Sequence, residues 1–137
     1  IDDDFMKDNN IIKLISLDVS AGTKGQKATL ELDVSGKVSK TQQSGDGPVD
    51  SIFKCIKEIF PHDVNLQLYQ VHAVTEGTDA QATVSVRIEE KGKISVGQAA
   101  DTDTLVASAK AYINALNKLI LKRKRTAPTD DEYSAAV

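Results

Sequence analysis

Two glycine-containing junctions, each directly before a predicted helix, have the residue types that suit ligand binding. The first reads SGDGPVDS from Ser44 to Ser51, and the second reads GQAADTDT from Gly97 to Thr104. The first N–H groups of a helix lack partners within the helix and lie at the positive end of its dipole, which favours an anion. One such junction alone is more typical of a capped helix start after a tight turn. Two junctions that symmetry brings face to face favour a ligand site.

A zwitterionic amino acid fits the space between two such junctions. Its carboxylate would accept hydrogen bonds from backbone N–H groups, to which glycine gives close access. Its ammonium group would meet Asp46, Asp50 or carbonyl oxygens. The junctions therefore favour binding of a small ligand over catalysis.

Catalytic and metal-binding patterns are nearly absent from the sequence. The only two histidines, His62 and His72, do not have the short spacing of a metal-ligand pair. There is no nucleophile elbow and no phosphate-binding glycine loop. The single cysteine, Cys55, excludes an internal disulfide, fits a reducing compartment and is expected to be a small buried hydrophobe. We predict no catalytic residue, no metal and no cofactor in this segment.

Composition excludes several classes of partner. The 137 residues are enough for one domain with a real core, and the net charge of −3 gives no general attraction to nucleic acid or anionic membranes. The absence of tryptophan argues against base-stacking surfaces. No apolar run has the length of a membrane span. We expect a cytoplasmic domain without nucleic-acid or membrane partners, and the first residue, Ile1, indicates a piece cut from a longer protein.

The same unit occurs twice in the chain. When the sequence is shifted by about 54 positions, Leu14–Val34 aligns with Leu68–Ile88 without a gap, and the apolar positions keep their register. In this alignment Leu14 meets Leu68 and Leu17 meets Val71. A slip of one residue would turn a strand's apolar side chains to the wrong face, so the shared register indicates a shared structure.

Each unit is predicted to contain three strands followed by a helix. Proline is favoured in the first turn of a helix, so the first helix is expected to begin at about Pro48 and to end before Pro61. The second is expected from about Asp103 to Lys122, with a small-residue ridge that allows close approach of another backbone, formed by Ala107, Ala111 and Ala115. The predicted strands are Ile12–Ser20, Lys27–Val34, Lys37–Gln42, Asn65–Thr75, Gln81–Glu89 and Lys93–Gly97.

The predicted fold class is α+β, with two pseudo-symmetric βββα units, antiparallel sheets and two helices packed on one side. Residues 1–11 are expected to be a connector from a missing upstream part. The domain itself is assigned to 12–125, with one repeat at about 12–62 and the other at about 63–125. Residues 126–137 are expected to be a disordered tail. The wide apolar surface of the second helix and its alanine ridge predict a dimer.

Three segments resemble, in order, the C-terminal regulatory domain of α-isopropylmalate synthases. They are GDGPVDSIFKCI at 45–56, LYQVHAVTEGTDAQATVSV at 68–86 and ADTDTLVASAKAYINALNKL at 100–119. Related citramalate and homocitrate-type synthases carry similar domains. The resemblance covers roughly Leu14 to Arg125, and the opening IDDDFM is similar to the end of the linker that precedes this domain.

This resemblance implies a homodimeric domain that binds leucine and inhibits a catalytic barrel in the same chain. It implies that the parent enzyme condenses acetyl-CoA with 2-oxoisovalerate and uses a divalent metal, whereas the barrel's metal and acyl-CoA motifs are missing from this segment. The effector would be held by the G-x-G-P loop, the following helix start, the next strand, a turn and the counterpart loop of the second repeat. Asp50 departs from some relatives, which have a small apolar residue there. The implied effector residues are Gly45, Asp46, Gly47, Val49, Asp50, Leu66, Tyr69, Ala73, Ala80, Gly97, Ala99 and Asp101.

Three alternatives remain open at the sequence level. The domain could belong to a citramalate synthase and sense isoleucine, which differs from leucine only in the position of one methyl group. It could be a structural dimerisation module without an effector. A catalytic role for the segment itself is disfavoured, because neither a metal set nor a nucleophile set is present.

Overall fold

The structure is a computed structural model that describes the backbone of residues 11–22, 25–74 and 81–136. Side chains are described within these ranges except at 21–22, 73–74 and 123–136. Residues 1–10 of the predicted connector therefore lie outside the described residues. Ala80, one of the implied effector residues, also lies outside them.

Two βββα units follow one another along the chain, as predicted. The first unit has three antiparallel strands in the order β1-β2-β3 and then helix α1, and the second has β4-β5-β6 and then helix α2. Helix α1 packs on β2 and β3, whereas α2 packs on β5 and β6 and also reaches β1 of the first unit. The bounds are β1 Ile12–Gly22, β2 Gly25–Val34, β3 Lys37–Gly45, α1 Pro48–Ile59, β4 Asn65–Val74, β5 Gln81–Glu90, β6 Lys93–Asp101 and α2 Thr104–Ala136.

Two-residue turns close the second hairpin of each unit. Ser35 and Gly36 have φ values of 54° and 88°, and Lys91 and Gly92 have φ values of 50° and 84°. Positive φ at both central residues is the type I′ pattern, whose twist matches that of the flanking strands. Both turns were predicted from the sequence at these positions.

The strand pairing corrects one part of the repeat alignment. In the first unit Leu14 pairs with Leu32. In the second unit Val86 takes the place of Leu32 and pairs with Tyr69, not with Leu68. Leu14 therefore corresponds to Tyr69. The reason is the position of the β-bulge in the first strand of each unit. When the two units are aligned by the shift of 54, the bulge of β1 comes two residues later than the bulge of β4. A bulge adds one residue to a strand and shifts everything beyond it by one position.

The second helix is longer than predicted. It continues to Ala136 instead of ending near Lys122, so the segment predicted to be a disordered tail is helical as far as Ala136. The basic run KRKR, which begins at Lys122, consists of residues with good helix propensity and explains the first added turn. Pro128 disfavours the continuation beyond it, and nothing in the local sequence explains why the helix extends to Ala136.

The alanine ridge of α2 has its partner within the same unit. Ala107, Ala111 and Ala115 are fully buried. A Cβ built on Gly97 of β6 would lie 2.2 Å from the carbonyl oxygen of Ala111 and 2.4 Å from the backbone nitrogen of Ala115. The ridge therefore brings α2 against the backbone of β6. The ridge thus gives no support to the predicted dimer, because it is already covered within the same unit.

Candidate functional site

The start of α1 is open in front of its first backbone N–H groups. Gly47 is the N-cap in an extended conformation, with φ −161° and ψ 175°, and no side chain caps the helix there. Pro48 has no N–H to satisfy, so the first available donors belong to Val49 and Asp50. Apart from Gly47 itself and its two chain neighbours, no described atom lies within 4 Å of the position that a Cβ on Gly47 would occupy. The helix start therefore combines N–H donors that have no side-chain cap, a positive dipole end and open space beside Gly47.

The loop before α1 is fixed by Asp50. Its Oδ2 accepts a hydrogen bond from the backbone N–H of Asp46 at 3.0 Å and lies 3.3 Å from Nζ of Lys54. The hydrogen bond from Asp46 lowers the pKa of Asp50, slight burial opposes it, and Lys54 lowers it further. Asp50 is therefore a carboxylate at the helix start, where negative charge is favoured.

Gly45 is required by close packing of this loop on α1. A Cβ at Gly45 would lie 2.5 Å from Oδ2 of Asp50 and 2.8 Å from the backbone nitrogen of Ser51. The two glycines of the loop therefore differ in role. Gly45 lets the chain pass close to α1, whereas Gly47 has open space around the position that a Cβ would occupy.

The start of α2 is closed, although the sequence makes the two junctions look alike. Oδ1 of Asp103 accepts from the backbone N–H of Leu105 at 2.8 Å, and Oδ1 of Asp101 accepts from the N–H of Asp103 at 2.9 Å. Asp101 also pairs with Lys110 at 3.3 Å, and these contacts lower its pKa, the bond from Asp103 most of all. Asp101 thus organises the cap of α2, and only α1 presents an open start.

An aromatic cluster lies beside α1 and joins it to the second unit. The ring of Phe53, one turn after Asp50, contacts Tyr69 of β4 edge-on at 6.1 Å between centroids and Tyr112 of α2 at 4.3 Å. The hydroxyl of Tyr69 is 2.6 Å from the hydroxyl oxygen of Ser108. Both units therefore contribute to this cluster.

Next to the cluster is a cavity of about 230 Å³. Its lining combines apolar and aromatic side chains with Asp50, Lys54 and Lys57, so it offers charges of both signs beside an apolar surface. It is smaller than a drug-sized pocket, which is about 300–1,000 Å³. Its size and lining suit a molecule of amino-acid size. The lining residues are Asp50, Phe53, Lys54, Lys57, His62, Val64, Leu66 and Tyr112.

His62 holds the connector after α1 against α2. Its Nδ1 lies 2.7 Å from the carbonyl oxygen of Phe60, and its Nε2 lies 2.7 Å from the hydroxyl of Tyr112. A carbonyl only accepts, so Nδ1 carries the proton, and in the neutral ring Nε2 accepts from Tyr112. Burial raises the pKa of Tyr112 to about 12, so its hydroxyl keeps the proton that it donates.

The structure brings only some of the twelve implied residues together. Gly45 to Asp50 form one loop and helix start, Asp50 and Leu66 line one cavity, and Tyr69 contacts Phe53 beside it. Ala73 is described only by its backbone, which pairs with Ala82. Gly97, Ala99 and Asp101 lie on β6, separated from β4 by strand β5. Sequence reasoning missed the six other lining residues, of which Phe53 and Tyr112 follow the helical spacing of core residues.

The described residues contain no group of three or more histidine, cysteine or acidic side chains placed to hold a metal ion. Neither helix, over its described part, is long and apolar enough to cross a membrane.

Comparison with known proteins identifies relatives along almost the whole chain. The sequence model of the family described as the LeuA allosteric (dimerisation) domain matches residues 1–120. A protein named 2-isopropylmalate synthase from Caulobacter sp. (strain K31) is 57% identical over 128 residues, which is 93% of this chain and 24% of that protein. A protein of the same name from Bradyrhizobium sp. (strain ORS 278) is 54% identical over 137 residues, which is 99% of this chain and 26% of that protein. The chain therefore spans about a quarter of the length of the relatives that it matches.

Proposed function

The chain belongs to the LeuA allosteric (dimerisation) domain family, and from this premise we propose that it is the leucine-binding feedback domain of a 2-isopropylmalate synthase. In this proposal the condensation of acetyl-CoA with 2-oxoisovalerate, and the divalent metal that it uses, belong to a catalytic barrel in the remaining three quarters of such an enzyme. The 137 residues sense the end product and regulate that barrel.

The open start of α1 is the observation that carries the proposal. The carboxylate of an amino acid accepts hydrogen bonds from the N–H groups of Val49 and Asp50, assisted by the helix dipole. Its ammonium group lies near the carboxylate of Asp50, which the hydrogen bond from Asp46 keeps ionised. Its apolar side chain packs towards Leu66 and Tyr69 on β4. The proposed site also includes Ala73 and Ala80, while Gly97, Ala99 and Asp101 act in it only through the packing and capping of α2.

A thermal-shift screen of the chain against the twenty amino acids tests the proposal and identifies the effector. Leucine at about 100 times its dissociation constant is expected to stabilise the domain by roughly 2.7 kcal/mol. Isoleucine is expected to be weaker, since discrimination at the scale of one methyl group is worth about 1–3 kcal/mol. A larger shift with isoleucine would assign the domain to a citramalate synthase. No shift with any amino acid would favour a structural dimerisation module.

Strand β4 is the surface that we assign to dimerisation. It pairs only with β5 among the described strands, and it exposes Leu66, Leu68 and Val71 by 47%, 37% and 42%. The unpaired backbone N–H and C=O groups of an exposed apolar edge strand can pair with a strand of another chain. In a two-fold dimer two copies of β4 would meet antiparallel and join two sheets into one.

The opposite edge of the same sheet is closed by α2. Asn114 and Lys118 donate to the carbonyl oxygens of Gln98 and Val96 at 2.9 and 3.0 Å, and Lys122 donates to that of Ile94. These three donors are one helical turn apart, and the three acceptors are alternate residues of β6. The carbonyl groups that a further strand would need are therefore already used.

We expect the chain to be a dimer in solution, with a light-scattering mass of twice 14.8 kDa. Val71→Lys is expected to give the monomer, because it places a charge in the assigned interface. Val38→Lys is the matched control, since Val38 lies on β3 and is 52% exposed. A concentration-independent monomer mass for the parent chain would contradict the prediction.

A further inference from the structure

A buried asparagine of α2 holds the beginning of β1. Oδ1 of Asn117 accepts from the backbone N–H groups of Ile11 and Ile12 at 3.1 and 2.9 Å, and its Nδ2 donates to the carbonyl oxygen of Ile12 at 2.9 Å. The asparagine is 7% exposed and joins positions more than one hundred residues apart. A satisfied buried polar contact of this kind fixes one arrangement of the two elements.

The first strand is fixed from a second direction at the same place. The carbonyl oxygen of Ile11 accepts from the backbone N–H of Ser35, in the turn between β2 and β3, at 2.9 Å. Ile11 and Ile12 therefore link the turn of the first unit to the helix of the second. Any chain that precedes residue 11 is attached to the domain at this link.

The same helix is contacted by the proposed effector site. Tyr69 is bonded to Ser108, and Phe53 packs on Tyr112. Ser108 and Tyr112 lie nine and five residues before Asn117, or about 14 and 8 Å along the helix axis. Ser108, Tyr112 and Asn117 belong to one continuous helix, so a movement of α2 at the effector site would reach Asn117.

We infer that Asn117 is the positioning residue that couples the effector site to the start of β1. The inference rests on the proposed function and names the route by which effector binding acts on the chain that precedes β1. Effector binding favours the position of α2 in which Asn117 holds Ile11 and Ile12. Without effector this contact opens more often, so the attachment of the preceding chain changes with occupancy.

Thermodynamic linkage makes the inference measurable in two independent ways. Coupling between sites is reciprocal and typically worth between about 5- and 150-fold in affinity. If leucine lowers the equilibrium population of the open Asn117 contact by some factor, loss of that contact must weaken leucine binding by no more than that factor. An asparagine that only stabilised the fold would produce neither effect.

The test combines amide hydrogen exchange with calorimetry on the 137-residue chain, with leucine as the probe. In the parent, leucine is expected to slow exchange of the Ile12 amide at least about 5-fold more than it slows exchange of the Leu30 amide. Leu30 is the internal reference, because its amide lies in the central strand β2 and reports global unfolding. Asn117→Ala is expected to abolish this extra protection and to weaken leucine binding by a matching factor. Asn114→Ala is the control, because Asn114 lies one turn earlier on α2 and bonds β6, not β1. It should behave like the parent.

Asn117→Asp keeps the test decisive if the alanine variant does not fold. Its carboxylate still accepts from the two N–H groups but can no longer donate to Ile12, so an intermediate loss of coupling is expected. Leucine binding without extra protection of Ile12 in the parent would overturn the inference and leave the proposed function standing. Unchanged affinity in folded Asn117 variants would also overturn it. Absence of leucine binding in the parent would overturn both.

Discussion

Gly97→Ala is expected to destabilise the domain by about 3 kcal/mol, the upper end of the usual cost of overpacking. The added Cβ would lie 2.2 and 2.4 Å from backbone atoms of Ala111 and Ala115, so that α2 must move as a whole. A side chain that clashed only with a flexible neighbour would cost much less. For a domain of this size the melting temperature should fall by on the order of 10 °C.

Gly47→Ala is the matched control for this prediction, because it makes the same chemical change. Its Cβ would meet no described atom within 4 Å apart from its chain neighbours, and its backbone is extended. The free energy of unfolding should therefore change by about 0.5 kcal/mol or less. Equal melting temperatures for Gly97→Ala and the parent would show that α2 does not pack on β6 as closely as described.

In the full-length enzyme, Gly47→Ala is expected to abolish feedback inhibition by leucine and to keep uninhibited turnover within a few-fold of the parent. The new methyl group projects into the open space at the helix start, where we propose that it obstructs the effector carboxylate. The measurement is the leucine concentration that halves turnover. Thr102→Ala, at the corresponding loop before α2, is the control and should remain sensitive to leucine.

Two outcomes would count against this assignment. An enzyme that stayed normally sensitive with Gly47→Ala would place the effector elsewhere. An enzyme that lost its basal turnover with a folded domain would indicate that the domain helps to build the active site.

Much of the fold could be predicted from the sequence because local rules determine it. The apolar alternation of β2 and β5, the two turns that end in glycine and the proline at the start of α1 act within a few residues of the chain. The bulges of β1 and β4 could not be placed, since their position depends on pairing with the neighbouring strand. An alignment of the sequence alone therefore places Leu14 on Leu68, whereas the strand pairing places it on Tyr69.

The packing role of Gly97 could not be predicted from the sequence. A glycine in a junction suggests a ligand, and nothing in the local sequence reveals that Gly97 also lies against the backbone of α2 at Ala111 and Ala115. The difference between the two helix starts has the same origin. Asp101 and Asp103 cap α2, while Asp50 bonds Asp46 and α1 has no side-chain cap. Side-chain orientation decides between these outcomes, and composition does not reveal it.

The proposal depends most directly on whether an amino acid binds at the start of α1. Calorimetric titration of leucine into the parent chain, Gly47→Ala and Thr102→Ala measures this without the rest of the enzyme. We predict saturable binding to the parent and to Thr102→Ala, and a loss of binding to a folded Gly47→Ala variant. Equal affinity of all three proteins for leucine, or no binding to the parent, would contradict the account.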